Sequence, residues 1–206
     1  DGVIQFVPGS GRVIGDILIN DKNFAGLHFT GSTGVFNSII YKSASNLHAG
    51  KYRGYPRIVG ETGGKDFHFI HDSCNLDNAV FNTIRSAFEY SGQKCSACSR
   101  LYVSSNLWPS FKAKYVSAMK NLTIGNVEDF THFTSAVIDQ NSFNNCKSYI
   151  DHAKESSECE IITGGNYDDS NGYFIDLTTI VTTNPQYKSM EEEIFGPVVT
   201  LYVYPD

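Results

Sequence analysis

Two short segments of the chain carry side chains that could perform covalent catalysis. Cys95 closes the segment Gly92–Cys95, and Glu61 lies in the glycine-rich segment Gly60–Lys65. Because a free thiol is mostly protonated at neutral pH, a catalytic cysteine needs a lowered pKa or a neighbouring base. Glu61 could be that base, or it could activate the water that cleaves a thioester. From spacing alone, a buried structural cysteine and a carboxylate in a surface turn are the commoner interpretation.

A third segment, Glu192–Pro197, changes this interpretation. The three segments, in this order and at these separations, resemble the aldehyde dehydrogenase superfamily, whose members oxidise aldehydes to acids with a nicotinamide cofactor. The resemblance covers essentially the whole chain and extends to Phe29–Thr33, which looks like the family's nicotinamide-side glycine turn. It implies an α/β fold, in which part of a Rossmann-type cofactor domain is followed by an α/β catalytic domain. It also implies NAD as the cofactor and a small-molecule aldehyde as the substrate.

The resemblance implies catalytic roles for the first two segments. Cys95 would attack the aldehyde carbonyl to give a thiohemiacetal, hydride would pass to the nicotinamide, and water activated by Glu61 would hydrolyse the acyl-enzyme. Charge on the aldehyde oxygen needs donors placed in advance, and the backbone N–H of Cys95 can provide one. The family's other donor, an Asn side chain, would lie upstream of Asp1.

The resemblance implies cofactor-binding residues in two places. Glu193 would accept hydrogen bonds from the nicotinamide ribose hydroxyls, and Phe195 would pack beside the nicotinamide ring. The second place is the turn between a predicted strand and a predicted helix, with the residues Gly31, Ser32, Thr33, Gly34 and Val35. Free N–H groups at a helix start favour an anionic or polar ligand group. Without the resemblance, the turn is equally well a simple N-cap by Ser32 or Thr33, and Glu191–Glu193 is a solvated acidic run.

Four stretches narrow the resemblance to one branch of the superfamily. These stretches are Lys65–Phe69, Ser86–Arg100, Phe133–Asp139 and Tyr202–Asp206. They look like the branch that oxidises L-glutamate γ-semialdehyde to glutamate in proline breakdown. Ser96 resembles the residue that bonds the substrate carboxylate in this branch. The alternative is a superfamily member with a different aldehyde. The branch implies the mitochondrial matrix if the source is eukaryotic, and otherwise the cytoplasm.

Composition excludes several classes of protein. The chain has 206 residues, of which 41% are hydrophobic and 18% charged, so it can bury a core and reads as soluble and globular. A net charge of −6 and a pI near 5.5 argue against nucleic acid as a partner, because phosphate binding needs clustered Lys and Arg. No apolar run approaches the roughly twenty residues that span a bilayer. A membrane partner is therefore not predicted.

The cysteines leave two further alternatives to weigh. Five of them are scattered along the chain, which favours a reducing compartment over a disulfide framework. Cys95 and Cys98 form a C-x-x-C pair, which could be a redox pair or half of a zinc site. We predict no metal site, because only His68 and His71 lie close together as further ligands. A redox pair usually starts a helix, whereas these thiols follow one.

Apolar periodicity predicts two α/β units. The resemblance implies that residues 1–60 are the C-terminal part of an NAD-binding domain, and that residues 61–206 are a catalytic domain that is incomplete at its C-terminal end. Period-two runs and short apolar runs predict strands at 3–7, 26–29, 67–71, 100–103, 160–163, 173–177 and 198–204. Helical spacing predicts helices at 13–19, 35–47, 80–88, 107–119 and 140–153. Gly9, Gly11 and Gly15 are one residue too far apart for a dinucleotide fingerprint and are interpreted as a structural turn.

We expect the chain to be an internal fragment of a longer enzyme. The resemblance implies further cofactor-binding strands before Asp1, and a substrate-binding loop and an assembly strand after Asp206. The parent is expected to be a homo-oligomer. The residues that would distinguish NAD from NADP lie in the upstream part. A rival interpretation is therefore that the chain by itself is a folded but catalytically incomplete piece.

Overall fold

The computed structural model describes residues 2–205 and divides into two compact units, Asp1–Gly63 and Gly64–Asp206. Among these residues, no helix combines the length and the apolar character that crossing a bilayer requires. The fold is mixed α/β, as the sequence predicts. The functional assignment of the two units stays a prediction.

The first unit places two parallel strands beside two helices. Its elements are α1 (Gly11–Asn20), β1 (Gly26–Gly31), α2 (Thr33–His48) and β2 (Arg57–Thr62). Strands β1 and β2 pair in parallel, with Thr30 opposite Glu61. The end of α1 is tied down by Asn46 and Tyr52, which donate to the carbonyl oxygen of Ile19 at 3.0 and 2.6 Å.

Two predictions for this unit are wrong. Residues 3–7 belong to no helix or strand in the part of the chain that the structure describes. Val3, Ile4 and Phe6 are exposed there, because an apolar run becomes a strand only when its backbone groups find a neighbouring strand. Gly11 and Gly15 lie in helix α1 rather than in a turn.

The second unit is a sheet covered by helices. Within residues 64–205 the sheet has five strands in the order β3-β4-β9-β8-β5. The elements of the second unit are β3 (Phe67–Ile70), α3 (Leu76–Phe88), β4 (Arg100–Ser104), α4 (Trp108–Met119), α5 (Gln140–Glu155), β5 (Cys159–Thr163), β6 (Tyr167–Asp168), β7 (Phe174–Ile175), β8 (Thr178–Thr182), α6 (Lys188–Glu191) and β9 (Val198–Tyr204). Strands β6 and β7 form a separate two-stranded sheet. The β3, β4, β9 and β8 neighbours are parallel, and β5 joins β8 antiparallel.

Two apolar clusters lie on opposite faces of this sheet. Helices α3 and α4 pack with Leu101, Val199 and Leu201 on one face. Helix α5 packs with Ile180 and Val198 on the other. Successive strand side chains point to opposite faces, which is why Val198 and Val199 belong to different clusters. The sheet is therefore a rigid platform from which the connecting loops project.

Strand β8 was missed in the sequence, and the strand predicted at 173–177 is wrong in extent. The structure has only Phe174–Ile175 as β7 and then a separate strand, Thr178–Thr182. The break falls at Asp176, whose side chain accepts hydrogen bonds from Asn166. Strand β8 is buried along almost its whole length. Its sequence therefore lacks the alternation of apolar and polar residues that identifies a strand with one solvent-exposed face.

Candidate active site

Cys95 lies in a turn between α3 and β4, as the sequence predicts, and its side chain is exposed. We call residues Glu89–Cys98 the cysteine loop. At its start Tyr90, Ser91 and Gly92 have φ values of 57°, 56° and 65°. The left-handed region costs a residue with a side chain roughly 1–2 kcal/mol, so the rest of the structure must hold this reversal in place.

Side-chain hydrogen bonds hold the strained start of the cysteine loop. The hydroxyl of Ser91 donates to the carbonyl oxygen of Ser135 at 2.6 Å. The side chain of Gln93 accepts from the backbone N–H of Ile138 at 2.9 Å and donates to the carbonyl oxygen of Tyr90 at 3.3 Å. These bonds fix the backbone just before Cys95 to the segment 135–138.

The two thiols of the C-x-x-C pair, Cys95 and Cys98, differ in their exposure to solvent. Cys98 is buried, its Sγ donates to the carbonyl oxygen of Arg100 at 3.3 Å, and burial raises its pKa to about 11. Cys95 is exposed, and within residues 2–205 its backbone N–H donates to no protein acceptor. The loop therefore presents one thiol with a free N–H beside it and hides the other. Among the described residues no cluster of metal-ligating side chains occurs.

Gly64 connects the cysteine loop to Glu193. A Cβ atom on Gly64 would lie 3.0 Å from the carbonyl oxygen of Cys95, so the two backbones touch. The backbone N–H of Gly64 also lies near the carboxylate of Glu193 and acts to lower its pKa. The residue predicted as the nucleophile and the residue predicted to bind the ribose thus pack against the same glycine.

Lys65 places a buried positive charge near the same carboxylate. Its Nζ is buried, and no described residue accepts a hydrogen bond from it. Burial lowers the pKa of Lys65 to about 8, while the nearby charge of Glu193 acts in the opposite direction. Burial raises the pKa of Glu193, and Lys65 and the N–H of Gly64 oppose that rise. Lys65 closes the glycine-rich segment Gly60–Lys65, but nothing in the sequence indicates that its ammonium is buried.

Residues Glu192–Pro197, which we call the carboxylate loop, connect α6 to β9. Phe195 has a φ of 56° and is 43% exposed. A Cβ atom on Gly92 would overlap the carbonyl oxygen of Gly196, so the carboxylate loop and the cysteine loop are in backbone contact. An open cavity of about 510 Å³ lies beside them and is lined by residues that include Tyr90, Gln93, Phe130, Ile138 and Phe195.

The first unit carries the other predicted site residues at one end of its strand pair. Gly31 ends β1, Ser32 caps α2 by accepting from the N–H of Val35 at 3.4 Å, and Thr33 begins the helix. Glu61 lies inside β2, near its carboxyl end, rather than in the turn that the sequence suggested. Carboxyl ends of parallel strands are the usual place for ligands in α/β sheets. The pairing of Glu61 with Cys95, which lies in the second unit, stays a prediction.

Comparison with known proteins agrees with these motifs. The aldehyde dehydrogenase family matches residues 1–206. The chain is 62% identical to the mitochondrial delta-1-pyrroline-5-carboxylate dehydrogenase of Dictyostelium discoideum and 50% identical to that of Danio rerio. These alignments cover 100% and 99% of this chain but 37% and 36% of the relatives, so the chain spans a little over a third of their length.

Solved structures show the same similarity. The delta-pyrroline-5-carboxylate dehydrogenase of Mycobacterium tuberculosis superposes with a TM-score of 0.87 at 38% identity, over 96% of this chain and 35% of that one. The 1-pyrroline-5-carboxylate dehydrogenase from Thermus with bound NAD superposes with a TM-score of 0.89 at 30% identity, over 98% of this chain and 38% of that one. The family that the motifs predicted is confirmed: this chain belongs to the aldehyde dehydrogenase family.

Proposed function

We propose that the complete protein that contains this chain oxidises L-glutamate γ-semialdehyde to L-glutamate with NAD. The observation that carries the proposal is the exposed Cys95 thiol, on a loop that packs through Gly64 and Gly92 against the loop bearing Glu193. A nucleophile and a cofactor-facing carboxylate held on one framework suit an aldehyde oxidation through a covalent intermediate. The names of the relatives supply the choice of aldehyde.

The residues present fit a nicotinamide dinucleotide. Glu193 offers an exposed carboxylate close to the N–H of Gly64, and a carboxylate can accept from two ribose hydroxyls. Phe195 offers an aromatic face at the same loop. In the first unit, Gly31–Val35 opens α2, where free N–H groups and the helix dipole favour polar or anionic groups. When bound, NAD would accept the hydride that the aldehyde carbon loses.

The proposed reaction has an acylation and a deacylation stage. The thiolate of Cys95 attacks the aldehyde carbon, and the free backbone N–H of Cys95 donates to the oxygen that becomes negative. Loss of hydride from that carbon leaves a thioester on Cys95. Glu61 then takes a proton from water, whose oxygen attacks the thioester and releases the acid and the thiolate.

Ser96 is the residue of this chain that could recognise the distal carboxylate of the substrate. Its side chain is exposed directly after the nucleophile, where a hydroxyl could donate to the distal carboxylate of the semialdehyde. We further propose a homo-oligomer, and the mitochondrial matrix if the source is eukaryotic, because relatives are named mitochondrial. The second candidate is a family member with another aldehyde.

The experiment is NADH production by the complete protein from glutamate semialdehyde, beside a short straight-chain aldehyde. The proposal expects a strong preference for the semialdehyde that Cys95→Ala abolishes and Cys98→Ser leaves nearly intact. Equal use of both aldehydes would reject the semialdehyde assignment. Activity that survives Cys95→Ala would overturn the mechanism. An inactive 206-residue chain beside an active complete protein would identify this chain as a catalytically incomplete piece.

A further inference from the structure

Alternate residues of the carboxylate loop are held by one helix, α5. The hydroxyl of Tyr149 donates to Oε2 of Glu192 at 2.5 Å. The side-chain amide of Asn145 donates to the carbonyl oxygen of Ile194 at 3.0 Å. Further along, a Cβ atom on Gly196 would overlap Sγ of Cys146. Helix α5 therefore holds the loop at positions 192, 194 and 196.

The intervening residues, Glu193 and Phe195, are exposed, whereas Ile194 and Gly196 are buried. Glu192 has extended backbone, with φ −89° and ψ 141°, and neighbouring residues of an extended segment point to opposite sides. Ile194 is 4% exposed and belongs to the cluster around α5, whereas Phe195 is 43% exposed. Glu193 meets the N–H of Gly64 and the charge of Lys65. The direction of Glu193 thus depends on how firmly Glu192 is held.

Tyr149 is well suited to hold Glu192. Its side chain is buried, and burial together with the Glu192 carboxylate raises the pKa of its hydroxyl, so it remains a donor. Lys188 completes the arrangement, with Nζ 3.9 Å from Oε2 of Glu192 and 4.9 Å from the centre of the Tyr149 ring. A hydroxyl bonded to a carboxylate is among the stronger side-chain hydrogen bonds.

We propose that Tyr149 is a positioning residue for the cofactor: by holding Glu192, it fixes the direction in which Glu193 presents its carboxylate to the ribose hydroxyls of NAD. This inference rests on the proposed function. Tyr149 touches neither the cofactor nor the substrate in this role and acts through the loop backbone. Glu192 receives a role distinct from that of Glu193, although the two adjacent carboxylates look equivalent in the sequence.

The test compares Tyr149→Phe with Tyr167→Phe in the complete protein. Tyr167 is the matched control, because its hydroxyl donates to Oδ1 of Asp151, also on α5, at 2.7 Å. For Tyr149→Phe we expect the Kd and KM for NAD to rise about tenfold, while the KM for the aldehyde and the rate of Cys95 alkylation stay within about twofold of wild type. Tyr167→Phe should leave all four quantities unchanged.

A double variant tests the route through Glu192. If Tyr149 acts through that carboxylate, Glu192→Ala should raise the Kd for NAD as much as Tyr149→Phe does. The double variant should then bind NAD no more weakly than either single variant. Additive losses would overturn the inference. An unchanged Kd for NAD in Tyr149→Phe would also overturn it. So would a weaker NAD affinity that comes together with a raised KM for the aldehyde and a lowered thermal midpoint, because that combination is expected of a residue with a purely structural role. A wild-type protein that does not bind NAD would overturn the proposed function and this inference with it.

Discussion

Gly92 and Gly196 are in backbone contact: a Cβ atom on Gly92 would overlap the carbonyl oxygen of Gly196 and would lie 2.9 Å from that of Ala87. Gly92 also has a φ of 65°. The two motifs on which the mechanism depends therefore meet at glycines. No side chain separates the two backbones at this contact. A displacement of one loop would therefore displace the other.

Gly92→Ala should be severely destabilising. The added methyl group meets two carbonyl oxygens as well as the cost of a positive φ. In Gly165→Ala, at φ 94°, it would meet side-chain atoms of Ile161 and Lys154, the nearest at 3.3 Å. We expect Gly92→Ala to cost at least about 2 kcal/mol more in the free energy of unfolding than Gly165→Ala. Trp108, the single tryptophan, reports urea unfolding of the second unit by fluorescence. Equal losses in the two variants would contradict the contact.

Cys95 should react with alkylating agents much faster than Cys98. Cys95 is exposed, whereas burial hides Cys98 and raises its pKa to about 11. Because the thiolate is the reactive form, we expect iodoacetamide at pH 7 to label Cys95 at least about tenfold faster. Peptide mass spectrometry over a time course measures both rates. Cys146, which is also buried, provides an internal control for chain opening. Comparable rates at positions 95 and 98 would contradict the difference in accessibility.

Lys65→Met should stabilise the fold at neutral pH. Burial lowers the pKa of Lys65 from 10.5 to about 8, so below pH 8 the folded state bears the whole cost of the buried ammonium. Between those two values the unfolded chain holds a proton that the folded chain has released, and stability rises with pH. We expect a gain of about 2 kcal/mol at pH 7, which is less than the full pKa difference implies because Lys65 is partly exposed.

The pH dependence distinguishes this cause from a gain in apolar packing. The advantage of Lys65→Met should shrink above pH 8 and be lost only above pH 10.5, where Lys65 becomes neutral in both the folded and the unfolded wild type. Urea midpoints at several pH values measure the trend. Lys51→Met, at an exposed lysine, is the control and should change little at any pH. A gain that is independent of pH would show that burial of charge is not its origin.

Glu61→Gln should slow deacylation more than acylation. An amide cannot accept a proton from water, so the thioester on Cys95 should accumulate while the first hydride transfer proceeds. We expect steady-state turnover of the complete protein to fall about 10²- to 10⁴-fold, with a burst of NADH close to one per active site. Rapid mixing resolves the burst. Glu155→Gln, which alters an exposed carboxylate at the end of α5, is the control. Unchanged turnover would remove Glu61 from the mechanism.

Local patterns predicted the elements whose determinants are close in sequence. Helix α3 ends at Phe88, shortly before Ser91 and Gly92, so the position of Cys95 after a helix end could be inferred. Helix α5 likewise follows from the spacing of Phe143, Cys146 and Ile150. These features depend on side chains a few residues apart, which periodicity detects.

Features that depend on distant partners could not be inferred in this way. Glu61 looks like a turn residue beside three glycines, and its strand exists because β1 pairs with it. The hydrogen bond from Tyr149 to Glu192 joins residues far apart in the chain. Burial of the Lys65 ammonium depends on the surrounding fold, since lysine is ordinarily exposed. Such contacts are set by the tertiary structure, which a single sequence does not display.

The boundary between the two compact units falls between Gly63 and Gly64, inside the glycine-rich segment Gly60–Lys65. The proposed base therefore belongs to one folded body, and the lysine four positions later belongs to the other. If Glu61 serves Cys95 as proposed, residues inserted at this boundary would lengthen the segment between them without adding to either compact unit. This boundary is therefore the place to test whether catalysis by the complete protein depends on the length of the connection between Glu61 and Cys95.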